Sequence, residues 1–182
     1  MKPVYVTGNL QKAKRFSYML GLDIDSVAID LVELQSLDVR LIVEHKAREA
    51  YAKVKKPVIV EDTTLQFNAL GALPGPLIKW FLEELKPEGL CRLLDGKVRS
   101  AIAGSAIAYY DGASLEVFYK DAKGFISEHP RGSGGWGWDS VFVIGDGNKT
   151  NAEITELEYE QMYRSVKPFE ELKAYLQKLD KV

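Results

Sequence analysis

The chain has 182 residues, 46% of them hydrophobic, with 24 Lys and Arg against 26 Asp and Glu, a formal net charge of -2. A chain of this size can bury about 70% of the surface it exposes when unfolded, so its core needs neither disulfides nor a structural metal. The near balance of charge excludes a surface that is basic throughout and points away from a general nucleic-acid binder. The single Cys91 excludes an internal disulfide framework and a cysteine zinc cluster, and reads as a small buried apolar residue. No apolar run reaches the roughly 20 residues of a membrane span, and the start of the chain breaks into Thr7-Gly8-Asn9 before a signal-like stretch forms. These features lead to the expectation of a cytoplasmic protein with no membrane partner, built as a single domain over residues 1–182.

In chain order, Val4–Thr7 is a short β-branched strand, followed by a turn and a helix over Gln11–Leu20 with Phe16, Met19 and Leu20 inward. Val27–Leu31 reads as a second strand and Val39–Val54 as a helix. Pro57–Val60 is a buried strand that runs straight into Glu61-Asp62-Thr63-Thr64. Leu73-Pro74-Gly75-Pro76 is a turn, Leu77–Glu84 an amphipathic helix with Trp80 and Phe81 in its core, and Gly89–Leu94 a further helical segment. Arg99–Tyr110, Glu116–Lys123 and Gly124–Ser127 are successive strands, with Asp111-Gly112 as a hairpin signal. Ser140–Ile144 follows a glycine-rich loop, and Glu156–Leu179 is helical but broken at Pro168. The order βαβαβ, then helices, meandering strands and closing helices, defines a mixed α/β fold.

Three stretches carry chemistry. Thr7-Gly8-Asn9-Leu10-Gln11-Lys12 lies between a strand and a helix start, where free N–H groups and the helix dipole favour a phosphate; the same pattern also serves an ordinary βα turn. Glu61-Asp62 ends an apolar strand, the place where α/β folds put ligands, and an acidic pair there suits magnesium; the same acids also serve a solvated loop or a helix cap. Glu33, beyond the second strand, is placed to supply another carboxylate. Arg131-Gly132-Ser133-Gly134-Gly135-Trp136-Gly137-Trp138-Asp139 sets flexible backbone beside large π-faces, which suits stacking on a planar base, with Asp139 available to a base edge; the same run also serves a chain reversal with tryptophans that fill the core. His45 and His129 form no recognisable metal pair, and the role of Arg99 is open.

In this order the stretches resemble the inosine triphosphate pyrophosphatase family, the XTP/dITP diphosphatases that clear non-canonical purine nucleotides. The resemblance rests on Thr7–Lys12, on Leu31-Val32-Glu33-Leu34-Gln35 and on Ile42–Arg48. It continues through Val60-Glu61-Asp62-Thr63, Pro74-Gly75-Pro76-Leu77-Ile78-Lys79-Trp80-Phe81 and Arg131–Ser140. It implies an elongated mixed central sheet flanked by helices, two lobes around a deep cleft, and a homodimer. It also implies a Mg²⁺-dependent attack of water on a nucleoside triphosphate, giving the monophosphate and pyrophosphate. Carried over by position, Thr7, Asn9 and Lys12 would hold the triphosphate with Lys46 nearby, Gly8 and Thr63 would be further substrate-binding positions, and Glu33 and Asp62 would ligate Mg²⁺. Asp62 and Lys12 are the catalytic positions, Asp62 as activator of water. Trp136, Gly137, Trp138 and Asp139 line the base site.

The C-terminal signature of the family, Lys-Asn-x-x-Ser-His-Arg, falls on Tyr159–Ser165, so Tyr159 stands at the Lys and Arg164 at the His. The phosphate and metal positions are kept, while those that read the purine are rewritten. A site that hydrogen-bonds one base rejects others because unmatched buried polar groups are costly. The expectation is therefore altered or relaxed base preference; the alternative is a non-catalytic nucleotide-binding or structural dimeric paralogue.

Overall fold

The computed structural model describes residues 2–179, in which the chain forms seven strands and five α-helices. They are β1 (Val4–Val6), α1 (Leu10–Leu20), β2 (Ser26–Val27), α2 (Val39–Val54), β3 (Val58–Phe67), β4 (Pro74–Gly75) and α3 (Ile78–Arg92). There follow β5 (Ser100–Tyr110), β6 (Leu115–Ile126), β7 (Phe142–Ile144), α4 (Glu156–Val166) and α5 (Phe169–Leu179). One mixed sheet runs in the order β2-β1-β3-β5-β6-β7, with β4 paired to β3. β1 is parallel to both β2 and β3, whereas β4 on β3 and β7 on β6 are antiparallel. This is the mixed α/β class expected from the element order. No helix among the described residues is long and apolar enough to cross a membrane.

The chain divides into two compact units, one of residues 1–62, 105–120 and 167–182 and the other of residues 63–104 and 121–166. In the first, one core is built from Val6, Val58, Val60, Ala106 and Ala108 of the sheet against Val39, Val43, Ala47 and Ala50 of α2. The i, i+4, i+8 spacing of Val39, Val43 and Ala47 makes the apolar stripe, and the Asp38 carboxylate caps the helix by accepting the Arg40 N–H at 2.9 Å. α1 and α5 meet in a separate aromatic group, with Phe16 stacked on Tyr5 at 4.0 Å and Phe169 edge-on to Phe16 at 5.5 Å. In the second unit Leu65, Phe67, Ile78, Leu90, Leu94, Ile126 and Phe142 form the core, with the Cys91 thiol buried among them.

Several expectations are revised: the strands expected over Glu116–Lys123 and Gly124–Ser127, for one, are the single strand β6. The second strand ends at Val27 rather than Leu31, because β1 offers pairing only as far as Thr7, whose N–H donates to the Val27 carbonyl at 3.0 Å. Ile29 and Leu31 nevertheless pack on the α2 core. β3 does not stop at Glu61 but continues to Phe67, since it gains β4 as a further partner. The two segments around 77–94 form α3, kinked at Lys86 (φ 57°), where Pro87 lacks an N–H and restricts the residue before it. Trp80 lies outside the core and is 49% exposed, because Ile78, Phe81, Leu82 and Leu85 already take the inward stripe of α3.

Arg99, left open by its sequence position, closes the end of α3. Its guanidinium donates to the carbonyls of Cys91 (2.8 Å), Leu94 (3.2 Å), Ile126 (2.9 Å) and Ser127 (2.7 Å). Helix C-termini leave carbonyls unpaired, and this planar five-donor group satisfies several at once. Arg99→Met should cost about 2–4 kcal/mol in urea unfolding, the range for removing a charged donor from partly buried acceptors; a loss below about 0.5 kcal/mol would show the carbonyls to be satisfied by water instead.

Candidate active site

The acidic pair on β3 is divided by strand geometry. Successive side chains point to opposite faces, so Glu61 and Asp62 cannot serve one cluster. Asp62 shares the face of Val58 and Val60, which is packed on α2. There Lys46, three residues after Val43 and four after Ile42, lies on the inward stripe of the helix, its side chain 13% exposed. Its ammonium donates to Asp62 Oδ2 at 2.8 Å and lies 3.6 Å from Glu33 Oε1. Glu33 belongs to the extended stretch after β2, which α2 tethers through Glu49, whose carboxylate accepts the Val32 N–H at 2.8 Å. Thus the two carboxylates named as metal ligands converge on a single cation, which the protein itself supplies.

Glu61 occupies the other face. Tyr5 of β1, in register with Ile59, donates its hydroxyl to Glu61 Oε2 at 2.8 Å, and Ser105 of β5 donates to Oε1 at 3.1 Å. Two ammonium groups complete the set: Lys12 from the first turn of α1, 3.3 Å from Oε2, and Lys167, which donates to Oε1. The Glu61 side chain has no exposed surface. Burial by itself would raise its pKa, but the charges of Lys12 and Lys167, with the hydrogen bonds of Lys167 and Tyr5, hold it down to about 2.

The α1 entrance is self-organised. Asn9 Oδ1 caps the helix by accepting the Lys12 N–H at 3.0 Å, and Thr7 Oγ1 accepts the Asn9 N–H at 3.2 Å. A Cβ at Gly8 would meet no atom within 4 Å, so packing within the chain does not require glycine there. Around this entrance the formal charges of Lys12, Lys167 and Glu61 sum to +1, whereas Lys46, Glu33 and Asp62 sum to -1. Thr63, the next residue of β3, is partly buried and belongs to the second compact unit.

In that second unit the glycine-rich loop folds over Asp139, which is 7% exposed. Its carboxylate accepts the Trp136 N–H at 2.9 Å and the Tyr159 hydroxyl at 2.8 Å on Oδ2, and the Asn151 amide at 3.3 Å on Oδ1. Gly135 is at φ 68°, and a Cβ there would lie 2.3 Å from Asp139 Oδ2, so this glycine serves the closure of the loop on its own carboxylate. Trp136, 47% exposed, presents its ring edge-on to Tyr159 (5.9 Å) and Tyr163 (5.8 Å), which are one turn apart on α4 and stack at 5.9 Å. Trp138 is partly buried against the core, Gly137 is exposed at φ 63°, and Arg164 is exposed on α4.

The structure therefore gathers Lys12 with Glu61, and Glu33 and Asp62 with Lys46, in one unit, and Trp136, Asp139 and Tyr159 in the other. Sequence reasoning read the Glu61-Asp62 pair as a magnesium position, with the resemblance assigning only Asp62 of the two to the metal; strand alternation was the signal that the two differ. It missed Lys167 and Ser105 and the use of the Tyr5 hydroxyl. The break at Pro168 was the one clue that the preceding lysine is held away from a helix face.

Residues 3–175 match the model of the Ham1 family. Inosine triphosphate pyrophosphatase 2 of Trypanosoma cruzi (strain CL Brener) is 40% identical over 179 residues, covering 96% of this chain and 91% of that protein. Among solved structures, a HAM1 protein from Coxiella burnetii superposes with a TM-score of 0.85 at 21% identity, over 98% of this chain and 100% of that one. A nucleoside-triphosphatase, dITP/XTP pyrophosphatase, from Mycobacterium abscessus gives 0.76 at 24% identity, over 91% and 95%. The fold is that shared by these structures, and the chain belongs to the Ham1 family.

Glu61 makes stability depend on pH in a defined direction. A carboxyl whose folded pKa lies below its unfolded value near 4.5 stabilises the protein above that value, and the contribution is lost as pH falls toward about 2. It amounts to about 3 kcal/mol. In urea unfolding with chelator present, the deficit of Glu61→Gln relative to wild type should shrink by about that amount between pH 7 and pH 2; a deficit independent of pH would contradict the ionic role of Glu61.

Proposed function

We propose that the chain is a Mg²⁺-dependent pyrophosphatase of non-canonical purine nucleoside triphosphates such as ITP, dITP and XTP, releasing the monophosphate and pyrophosphate. The observation that carries this reading is the division of charge across β3, with two carboxylates converging on a cation on one face and two ammonium groups at a helix start on the other. Its similarity to proteins named inosine triphosphate pyrophosphatases supports the same reading. A triphosphate with its metal requires both arrangements.

The donor set fits magnesium. Glu33 and Asp62 are hard oxygen ligands that already meet at one positive charge, the Lys46 ammonium, which marks where a cation is electrostatically favoured. Among the described residues no cage of three or more His, Cys, Asp or Glu side chains exists, and magnesium needs none, since it keeps waters and takes phosphate oxygens. When bound, Mg²⁺ would neutralise phosphate charge and lower the pKa of a coordinated water.

The chain's own groups would do the rest. Asp62, 22% exposed at its side chain, accepts the proton of the water that attacks the α-phosphorus as the bond to the β-phosphate oxygen breaks. Lys46 moves from the two carboxylates to the phosphate oxygens, and Lys12 with the α1 amides near Thr7, Gly8 and Asn9 holds the departing pyrophosphate. Thr63 follows Asp62 on β3 and is assigned to the same substrate.

In the second unit, Trp136 is the stacking face for the base. Asp139 already serves Trp136, Asn151 and Tyr159, so base recognition rests on stacking more than on a dedicated hydrogen bond. Preference among purine triphosphates is then shallow, within about 100-fold, against the 10⁴ or more of a site that pairs each polar group. Trp138, Gly137, Tyr159 and Arg164 shape this region. The reading includes the homodimer that the family resemblance implies.

Asp62→Asn should lower pyrophosphate release from ITP by at least about 100-fold, in the range of lost general-base catalysis, while nucleotide binding persists. Excess EDTA should abolish release and added Mg²⁺ restore it. No pyrophosphate from wild type across ITP, XTP and the common triphosphates would overturn the reading and favour the binding paralogue. Trp136→Ala should raise the KM for ITP roughly tenfold, the lower part of the range for one stacked base, and leave affinity for inorganic tripolyphosphate unchanged; equal weakening of both would remove Trp136 from the base site.

A further inference from the structure

The four donors on Glu61 are not equivalent. Lys167, with its side chain 8% exposed, and Ser105 serve Oε1, while Tyr5 serves Oε2. Lys12 also faces Oε2, but at 3.3 Å and with its side chain 27% exposed it is the longest and most accessible of the four. A buried carboxylate stripped of its cation is strongly destabilised. With Lys12 as its only cation, each departure of that lysine would strand the Glu61 charge. With Lys167 in place, one ammonium and two hydroxyls remain behind.

Packing makes Lys167 the fixed member of the pair. It sits between α4, which ends at Val166, and α5, which begins at Phe169, and its carbonyl accepts the Phe169 N–H at 2.9 Å. Phe169 packs on Phe16, and Phe16 on Tyr5, so the α5 start, α1 and β1 are joined by contiguous rings directly beside the carboxylate. Lys12, one helical turn before Phe16, shares only the backbone of this group, and its side chain is 27% exposed.

We propose that Lys167 is a positioning residue that keeps the buried Glu61 carboxylate neutralised, so that the Lys12 ammonium is released from Glu61 to bind a polyphosphate. The proposal rests on the reading of this unit as the triphosphate site and goes beyond it by assigning Lys167 and Glu61 as a pair that governs how available Lys12 is. Without Lys167, Glu61 draws Lys12 inward as its sole cation and the phosphate site loses its charge. Without both Lys167 and Glu61, Lys12 is free again.

The test is a double-mutant cycle read by calorimetric titration with inorganic tripolyphosphate in EDTA, on the full-length wild type, Lys167→Met, Glu61→Gln and the double variant, each first checked for a cooperative melt. Lys167→Met should weaken tripolyphosphate about tenfold or more, the effect of withholding one charged hydrogen bond. Adding Glu61→Gln should bring the affinity back to within about threefold of wild type. A purely structural Lys167 would lower the melting temperature and leave affinity unchanged; that result, or a double variant as weak as Lys167→Met, overturns the proposal. Where Lys167→Met does not fold, Lys167→Gln, which keeps a donor for Oε1 without the charge, replaces it in the same cycle. In wild type the Lys12 Nζ resonance should shift on adding tripolyphosphate and that of Lys167 should not; the reverse also overturns the proposal. The same preparations are assayed for ITP hydrolysis with Mg²⁺. An inert wild type with an intact cycle sinks the enzymatic reading alone, whereas an active wild type with a failed cycle sinks the Lys167 assignment alone.

Discussion

A carboxylate with no exposed side-chain surface is the constraint on which the first unit depends. Glu61 stays ionised only because Tyr5, Ser105, Lys12 and Lys167 reach it from β1, β5, α1 and the α4–α5 junction. Removing any one of those elements would expose or orphan a charge whose desolvation costs several kcal/mol. Such a pair is weak evidence for stability, since a well-packed apolar set fills the same space at no electrostatic cost. What it supplies is placement. It brings two ammonium groups to the start of a helix, where backbone amides already favour an anion.

The neighbouring residue shows how little sequence distance separates opposite chemistries. Asp62 is one peptide bond from Glu61, yet the pleat sends it to the α2 face, where Lys46 and Glu33 wait. One strand thus separates an anion-favouring group from a cation-favouring group without either cancelling the other. The net charge of -2 conceals that separation.

Much of this was legible in the sequence, for reasons that differ by element. The helix over Val39–Val54 matched its expected bounds because its apolar stripe, its Asp38 cap and its end at Lys55 all act locally. β2 and β3 departed from their expected ends because strand length is set by partners elsewhere in the chain, β1 for one and β4 for the other. Lys12, Lys46, Glu33 and Asp62 were recognisable by motif. Lys167 was not, since it lies 106 residues from Glu61 and only the break at Pro168 sets it apart locally. In the aromatic loop the glycines and tryptophans suggested an open pocket for a base, whereas Gly135 serves the loop's own closure and Trp138 packs into the core, leaving Trp136 as the exposed ring. A composition signal cannot distinguish glycine needed by a ligand from glycine needed by a neighbouring carboxylate.

In the proposed function the metal sits at Glu33 and Asp62 on one face of β3, and the departing pyrophosphate sits at Lys12 on the Glu61 face. The most direct measurement is anomalous scattering from Mn²⁺ in crystals grown with a non-hydrolysable ITP analogue. A peak should appear within ligand distance of Glu33 and Asp62, with the Lys46 ammonium displaced and Glu61 still held by Lys167. A peak on Glu61, or none at Glu33 and Asp62 while the nucleotide is bound, would contradict it.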